Sequence, residues 1–141
     1  MSGQNKLNLD KLAADCAREM LKADDKDTLE RLITKTLGIL QSQGVYAMML
    51  FLFSRTSKEN DVAPFIRKPL YQALLELPQF TGNSQLRSFK DDDGNHAEVL
   101  RWFSDNVVDE LDKLLIVRDL FEQTLIYARF HAKAAQKGES S

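Results

Sequence analysis

The stretch Thr34 to Arg55, TKTLGILQSQGVYAMMLFLFSR, carries the reading of the fold. A helical pattern ends in the polar stop Gln41-Ser42-Gln43-Gly44, and the chain restarts at once into an unbroken apolar run, Val45 to Phe53. Glycine suits the position just past a helix C-terminus, because it takes positive φ without a Cβ penalty. The segment therefore reads as two helices joined by a very tight turn. The second is apolar almost all round, which predicts a helix buried at the centre of the fold.

Upstream, Asn8 is a natural N-cap for a helix whose apolar positions are Leu9, Leu12, Ala13, Cys16 and Met20. Residues Ala23 to Lys26 break that pattern, and Asp27 with Glu30 forms a capping-box signature for the next helix. Its expected core face is Leu29, Leu32, Ile33, Thr36, Leu37 and Leu40. Downstream, Thr56 to Asp61 reads as a polar connection. Pro64 and Pro69 argue against a long helix, since an interior proline costs about 3 kcal/mol. A short helix is expected from Pro69, ending before Pro78. Gln79 to Gly94 is the loosest stretch. Asn95 with Glu98 predicts a capped helix through Leu100, Trp102 and Phe103, which Ser104-Asp105-Asn106 either interrupts or re-caps. A long last helix to about Lys133 is lined by Leu114, Val117, Phe121, Leu125, Ala128, Ala132 and Ala135.

No segment has the period-2 alternation of a half-buried strand. The expectation is all-α: one domain over residues 1–141, a bundle of about six helices, with 1–7 and 136–141 frayed. A chain of 141 residues buries roughly 68–70% of its unfolded surface in a single core. The single cysteine, Cys16, cannot form an intrachain disulfide and fits a reducing, cytoplasmic setting. The start, MSGQNKLNLDKL, carries no signal or transit pattern. The run 45–53 is too short to cross a bilayer, which needs about 20 residues, so no membrane contact is expected.

Enzymatic chemistry finds no constellation. His96 and His131 lie in no metal-ligand spacing, and one cysteine excludes a CxxC site. Neither histidine completes the Arg-x(4–6)-His pattern of certain helical ribonucleases: the nearest upstream arginines are Arg87, nine residues before His96, and Arg129, two before His131. Asp91-Asp92-Asp93-Gly94-Asn95 invites a calcium reading, but His96 falls where an EF-hand needs glycine and Trp102 where it needs glutamate. The run reads better as a solvated turn. Neither a cofactor nor a metal is expected.

The charge balance, 19 basic against 21 acidic residues, is not that of a typical small nucleic-acid binder. Local clustering is more informative. Arg118, Arg129, Lys133 and Lys137 fall within one sector of about 100° on the last helix, expected opposite its apolar stripe, and Lys11, Arg18 and Lys22 share a face of the first. Such stripes can neutralise phosphates, although charges at helical spacing more often form an ordinary solvated face. Tyr46, Phe51, Phe53, Phe103, Phe121 and Phe130 read mainly as core. Trp102 and Tyr127 lie off the main apolar stripes and are the better candidates for a partner surface.

Two segments resemble the small α-helical subunit of type III CRISPR effector complexes, the Cmr type in particular and otherwise the Csm type. That family has a helix reading roughly A-x-K-L-P-x-x-I, a short Asn-Gly turn and an apolar helix. Here Thr34-Lys35-Thr36-Leu37-Gly38-Ile39-Leu40, Gln43-Gly44 and Val45 to Phe51 correspond. In the last helix Val117-Arg118, Leu125, Tyr127, Phe130 and Lys133 fall at matching offsets. Thr36-Leu37 replaces Leu-Pro, and Gln43, Val117 and Phe121 also depart from the pattern. The resemblance implies a non-catalytic subunit lining the groove that holds a guide RNA/target RNA duplex, beside backbone and large subunits and copies of itself. Contacts would be to phosphate, independent of sequence. Lys35, Arg118 and Lys133 match the family's basic positions, Arg55 stands where a lysine is common, and Arg129 joins by its helical face. The alternative is a helical protein–protein adaptor with no nucleic-acid role.

Overall fold

Asn8 and Asp25 begin the fold by the same device. Each side-chain oxygen accepts the backbone N–H three residues on, Lys11 at 3.0 Å and Thr28 at 3.1 Å, satisfying donors that a helix start leaves open. They open α1 (Leu9–Met20) and α2 (Lys26–Gln43). The α2 cap thus lies two residues before the expected Asp27, and Glu30 is free for a tertiary contact. The computed structural model describes residues 8–140, with side chains through Lys137. The fraying expected for 1–7 lies outside the described residues, as does Ser141.

Gly44 alone joins α2 to α3 (Val45–Phe53). Its N–H donates to Leu40 O at 3.0 Å and its carbonyl accepts from Met48 N at 3.1 Å, so one residue closes one helix and opens the next. Its φ of 97° and ψ of −175° lie not in the left-handed helical well but in a region essentially reserved to glycine. The turn is as tight as expected, whereas α3 is not wholly central. Val45, Met48, Met49 and Leu52 are buried, while Tyr46 and Leu50 on the opposite side stay exposed.

The next helix overturns the proline argument. α4 (Ser57–Leu75) runs straight through Pro64 and Pro69. The carbonyls that lose an amide partner, four residues earlier, belong to Asn60 and Phe65, both exposed. Water can take the place of the missing bonds, and Val62, Ala63, Ile66, Leu70, Tyr71 and Leu74 hold the other face in the core. The loose stretch that follows contains α5 (Ser84–Ser88) and a 3-10 turn (Phe89–Asp91). α6 (His96–Phe103) begins after Asn95, whose side chain makes no capping bond, and passes into a π-helical turn (Ser104–Val108). α7 (Leu111–Ser140) continues seven residues beyond the expected Lys133.

Seven α-helices and no strand are present among the described residues, which bears out the all-α class with one helix more than expected. α7 packs against α1 and α2, and α4 packs against the same two, closing a four-helix ring. α3 and α6 seal one end of it. The six residues expected on the α2 core face are the six that are buried. Trp102 is a correction. It is almost fully buried, packed edge-on against Phe89 and Phe103 and tilted on Phe80, and offers no partner surface. Tyr127 is half-buried and its hydroxyl donates to Asp10.

Asp92 is a second correction. Only its neighbours Asp91 and Asp93 form the solvated turn; Asp92 itself is buried. Arg67 Nε and Nη2 donate to its two oxygens at 2.8 and 3.1 Å, and the Tyr71 hydroxyl donates at 2.8 Å. Burial opposes the Asp92 charge most strongly, but the bonds from Arg67 and Tyr71 outweigh it and hold the carboxyl below its usual range. The same site pushes the Tyr71 phenol up, through burial first and the Asp92 charge second. The Arg67 guanidinium also stacks 4.4 Å from the Phe53 ring centre.

Candidate nucleic-acid interface

Lys35 projects from the side of α2 that faces the start of α4, and Arg55 follows the last residues of α3. Glu59 in the first turn of α4 joins them, accepting from Lys35 Nζ at 2.8 Å and from Arg55 Nη1 at 3.2 Å. The Lys35 bond, then that of Arg55, outweighs partial burial and lowers the Glu59 pKa. Arg55 is further fixed by Nε donating to Phe51 O at 2.9 Å and by its guanidinium lying 3.8 Å from the Phe51 ring centre. The i,i+4 spacing of Arg55 and Glu59 is legible in sequence. Their meeting with Lys35 requires the α2–α4 packing.

Beside this trio is a depression of about 430 Å³ whose lining includes Arg31, Lys35, Lys58, Thr28, Thr56 and Ser57. All of these are charged or hydroxyl-bearing. Ser57 has φ 56°, the positive value that non-glycine residues adopt rarely, and Thr56 makes no side-chain capping bond to α4. The first amides of α4 are therefore left without a side-chain acceptor, at the positive end of a helix dipole. Three carboxylates temper the site: Glu59, Asp27, which pairs with Arg31, and Asp25, which accepts from the Thr28 hydroxyl and feels the charges of Lys58 and Arg31.

The remaining three expected contacts lie elsewhere. Arg118 Nη2 donates to Gln41 O at 3.2 Å, and Gln41 Nε2 donates to Glu122 at 3.0 Å. Lys133 Nζ lies 3.8 Å from Glu30. These pairs run α2 and α7 antiparallel, with Arg129 between them, half-buried and with its Nε unbonded. The α7 stripe is thus not opposite the apolar face but on the flank against α2. Glu30, Thr34 and Gln41 mark that flank, and Lys35 lies about 100–140° around α2 from it at 100° per residue. Lys35 and Arg55 come together; Arg118, Arg129 and Lys133 form a separate line.

A second concavity, about 660 Å³, separates α1 from α4. Leu12, Cys16, Pro64, Phe65, Pro69 and Ala73 give it an apolar floor, and Asp15, Glu19, Asp61 and Glu76 outnumber Lys22 and Lys68 on its rim. Sequence inspection missed Arg31, although it stands one turn before Lys35 at i,i+4 spacing, and Lys58, which nothing local joins to either. Among the described residues, no group of three His, Cys, Asp or Glu side chains is placed to hold a metal ion. None of their helices is long and apolar enough to cross a membrane. No family model, curated protein or solved structure matches the chain.

Proposed function

We propose that this protein is a non-catalytic, cytoplasmic RNA-contacting subunit of a ribonucleoprotein, of the kind the type III CRISPR small subunits represent. What supports the reading is the cluster of Arg31, Lys35, Arg55 and Lys58 around the strained, uncapped start of α4. Cations beside free helix amides match the charge and hydrogen-bonding needs of a phosphodiester. Residues in sparse backbone regions also tend to mark functional sites. In this reading Arg118, Arg129 and Lys133 meet phosphate on the other flank of α2. Guide RNA/target RNA duplex, backbone and large subunits and further copies of the chain are the partners.

Binding of labelled single-stranded RNA, followed by anisotropy across a salt series, tests it. Affinity should fall with a log–log slope of about −0.7 per neutralised phosphate. Lys35→Glu with Lys58→Glu should weaken binding at least tenfold with helical content unchanged. Equal affinity in that variant would remove the phosphate assignment. One observation favours the alternative, a protein–protein adaptor: the apolar groove between α1 and α4, where Phe65 is partly exposed. In that case RNA binding is absent and charge reversal at Lys35 changes nothing.

A further inference from the structure

α1 and α2 cover two flanks of α7 and leave a third facing outward. Asp112 and Asp119 run down that free face, and Ile126 and Lys133, continuing the same seven-residue spacing, lie at its border: Ile126 is half-buried against the core and Lys133 leans toward Glu30 of α2. At 100° per residue they drift only about 20° per step, so they form one nearly straight line. Leu115, Phe130 and Lys137 fall within the same sector of about 60°. Phe130 is 64% and Leu115 50% exposed, two of the most exposed large apolar side chains described. The order along the line is acid, acid, apolar, base. A two-fold axis through Ile126 carries residue 119 onto 133, and it brings 112 close to 137.

We infer that the outer face of α7 pairs antiparallel with the same face of a second copy. Asp119 of each chain then lies over Lys133 of the other. Ile126 meets its own mate on the axis, and Phe130 covers the aliphatic stems of Glu122 and Gln123. Lys133 is able to turn outward, because its bond to Glu30 is long and the side chain is half exposed. A parallel pairing would place acid on acid and base on base, so the charge order selects the antiparallel one. Such a contact uses the same patch twice and closes at two chains; it does not propagate.

The strip from Asp112 to Lys137 is about 38 Å long and a helix is about 10 Å wide. It covers on the order of 400 Å² per copy, below the roughly 800 Å² of a stable interface. The dimer is therefore reversible and forms at high protein concentration. This inference is independent of nucleic acid; Lys133 belongs to both proposals, and measurements without RNA keep them apart.

Sedimentation velocity of the full chain, from about 10 to about 500 µM at low salt, reads the association. The mass should rise toward two chains and no further, and fall back as salt is added. Phe130→Ala and Asp119→Lys should each weaken association at least fivefold. Trp102 fluorescence confirms that each variant folds. Combining Asp119→Lys with Lys133→Glu exchanges the charges and should restore the dimer. A monomer at every concentration would overturn the proposal. So would association that Asp119→Lys leaves intact, failure of the double reversal in a folded protein, or growth beyond two chains.

Discussion

Arg67 and Asp92 stand 25 residues apart in the chain and meet inside the core, Nε to Oδ2 at 2.8 Å, with the Tyr71 hydroxyl on the same oxygen. The trio fastens the segment after α5 onto the middle of α4. Removing one partner leaves a buried charge alone, which costs about 3–5 kcal/mol. Asp92→Ala should therefore lower the urea midpoint severely. Replacing all three at once, by Arg67→Met, Asp92→Leu and Tyr71→Phe, removes the stranded charge with the pair. That variant should recover most of the loss, because a buried ion pair is often no more stabilising than well-packed apolar groups.

The same carboxylate sets an acid limit. Its folded pKa lies below the ordinary value of about 3.9, so the fold binds the ionised form preferentially. The stability it contributes is complete above pH about 4 and is lost as pH falls through the lowered folded value. Urea midpoints measured between pH about 6 and about 2.5 should drop more steeply for the natural chain than for Asp92→Asn. Equal slopes would assign the acid sensitivity to other carboxylates.

Gly44 and Gly38 should respond oppositely to alanine. A Cβ at either position meets nothing within 4 Å, so crowding plays no part. At Gly44 the positive φ imposes a backbone cost of about 1–3 kcal/mol. At Gly38, inside α2, alanine restricts the unfolded chain and should stabilise by roughly 0.5–1 kcal/mol. Thermal unfolding of the two single variants measures both signs.

Cys16 is enclosed between α1 and its neighbours, and burial pushes its thiol up to about 12, against a smaller opposing effect of Thr124. At pH about 8 the thiolate fraction is then on the order of 10⁻⁴, whereas a free cysteine is about a quarter ionised. Iodoacetamide should modify the native protein at least a thousandfold more slowly than the urea-unfolded chain. Rapid native labelling would mean that α1 opens from α4 or α7.

The parts of the fold legible in sequence are those that one segment specifies by itself. The α2 core face follows from 3.6-residue periodicity, and the Gly44 turn from an abrupt change of polarity around glycine. α4 was hidden because the usual cost of an internal proline assumes a helix whose carbonyls cannot reach water; Asn60 and Phe65 are exposed. Trp102 was misplaced because four of the eight α6 residues are buried, a wider arc than a single stripe. Arg67–Asp92 had no local signature at all. In the candidate interface Arg55–Glu59 could be read from its spacing, but Lys35 reaches Glu59 across 24 residues of chain.

A joint of one residue couples the rotational phase of α3 to that of α2. Each residue inserted there would advance α3 by about 100°, turning Tyr46 or Leu50 toward positions now filled by Met48 and Met49. The chain therefore has an uneven tolerance of length. The turn Asp93-Gly94-Asn95, exposed throughout and lying just before α6, can lengthen or shorten with little effect. At Gly44 a single added or lost residue would unseat a whole layer of the core, so variation in length should collect on one side of the molecule and be absent from the other.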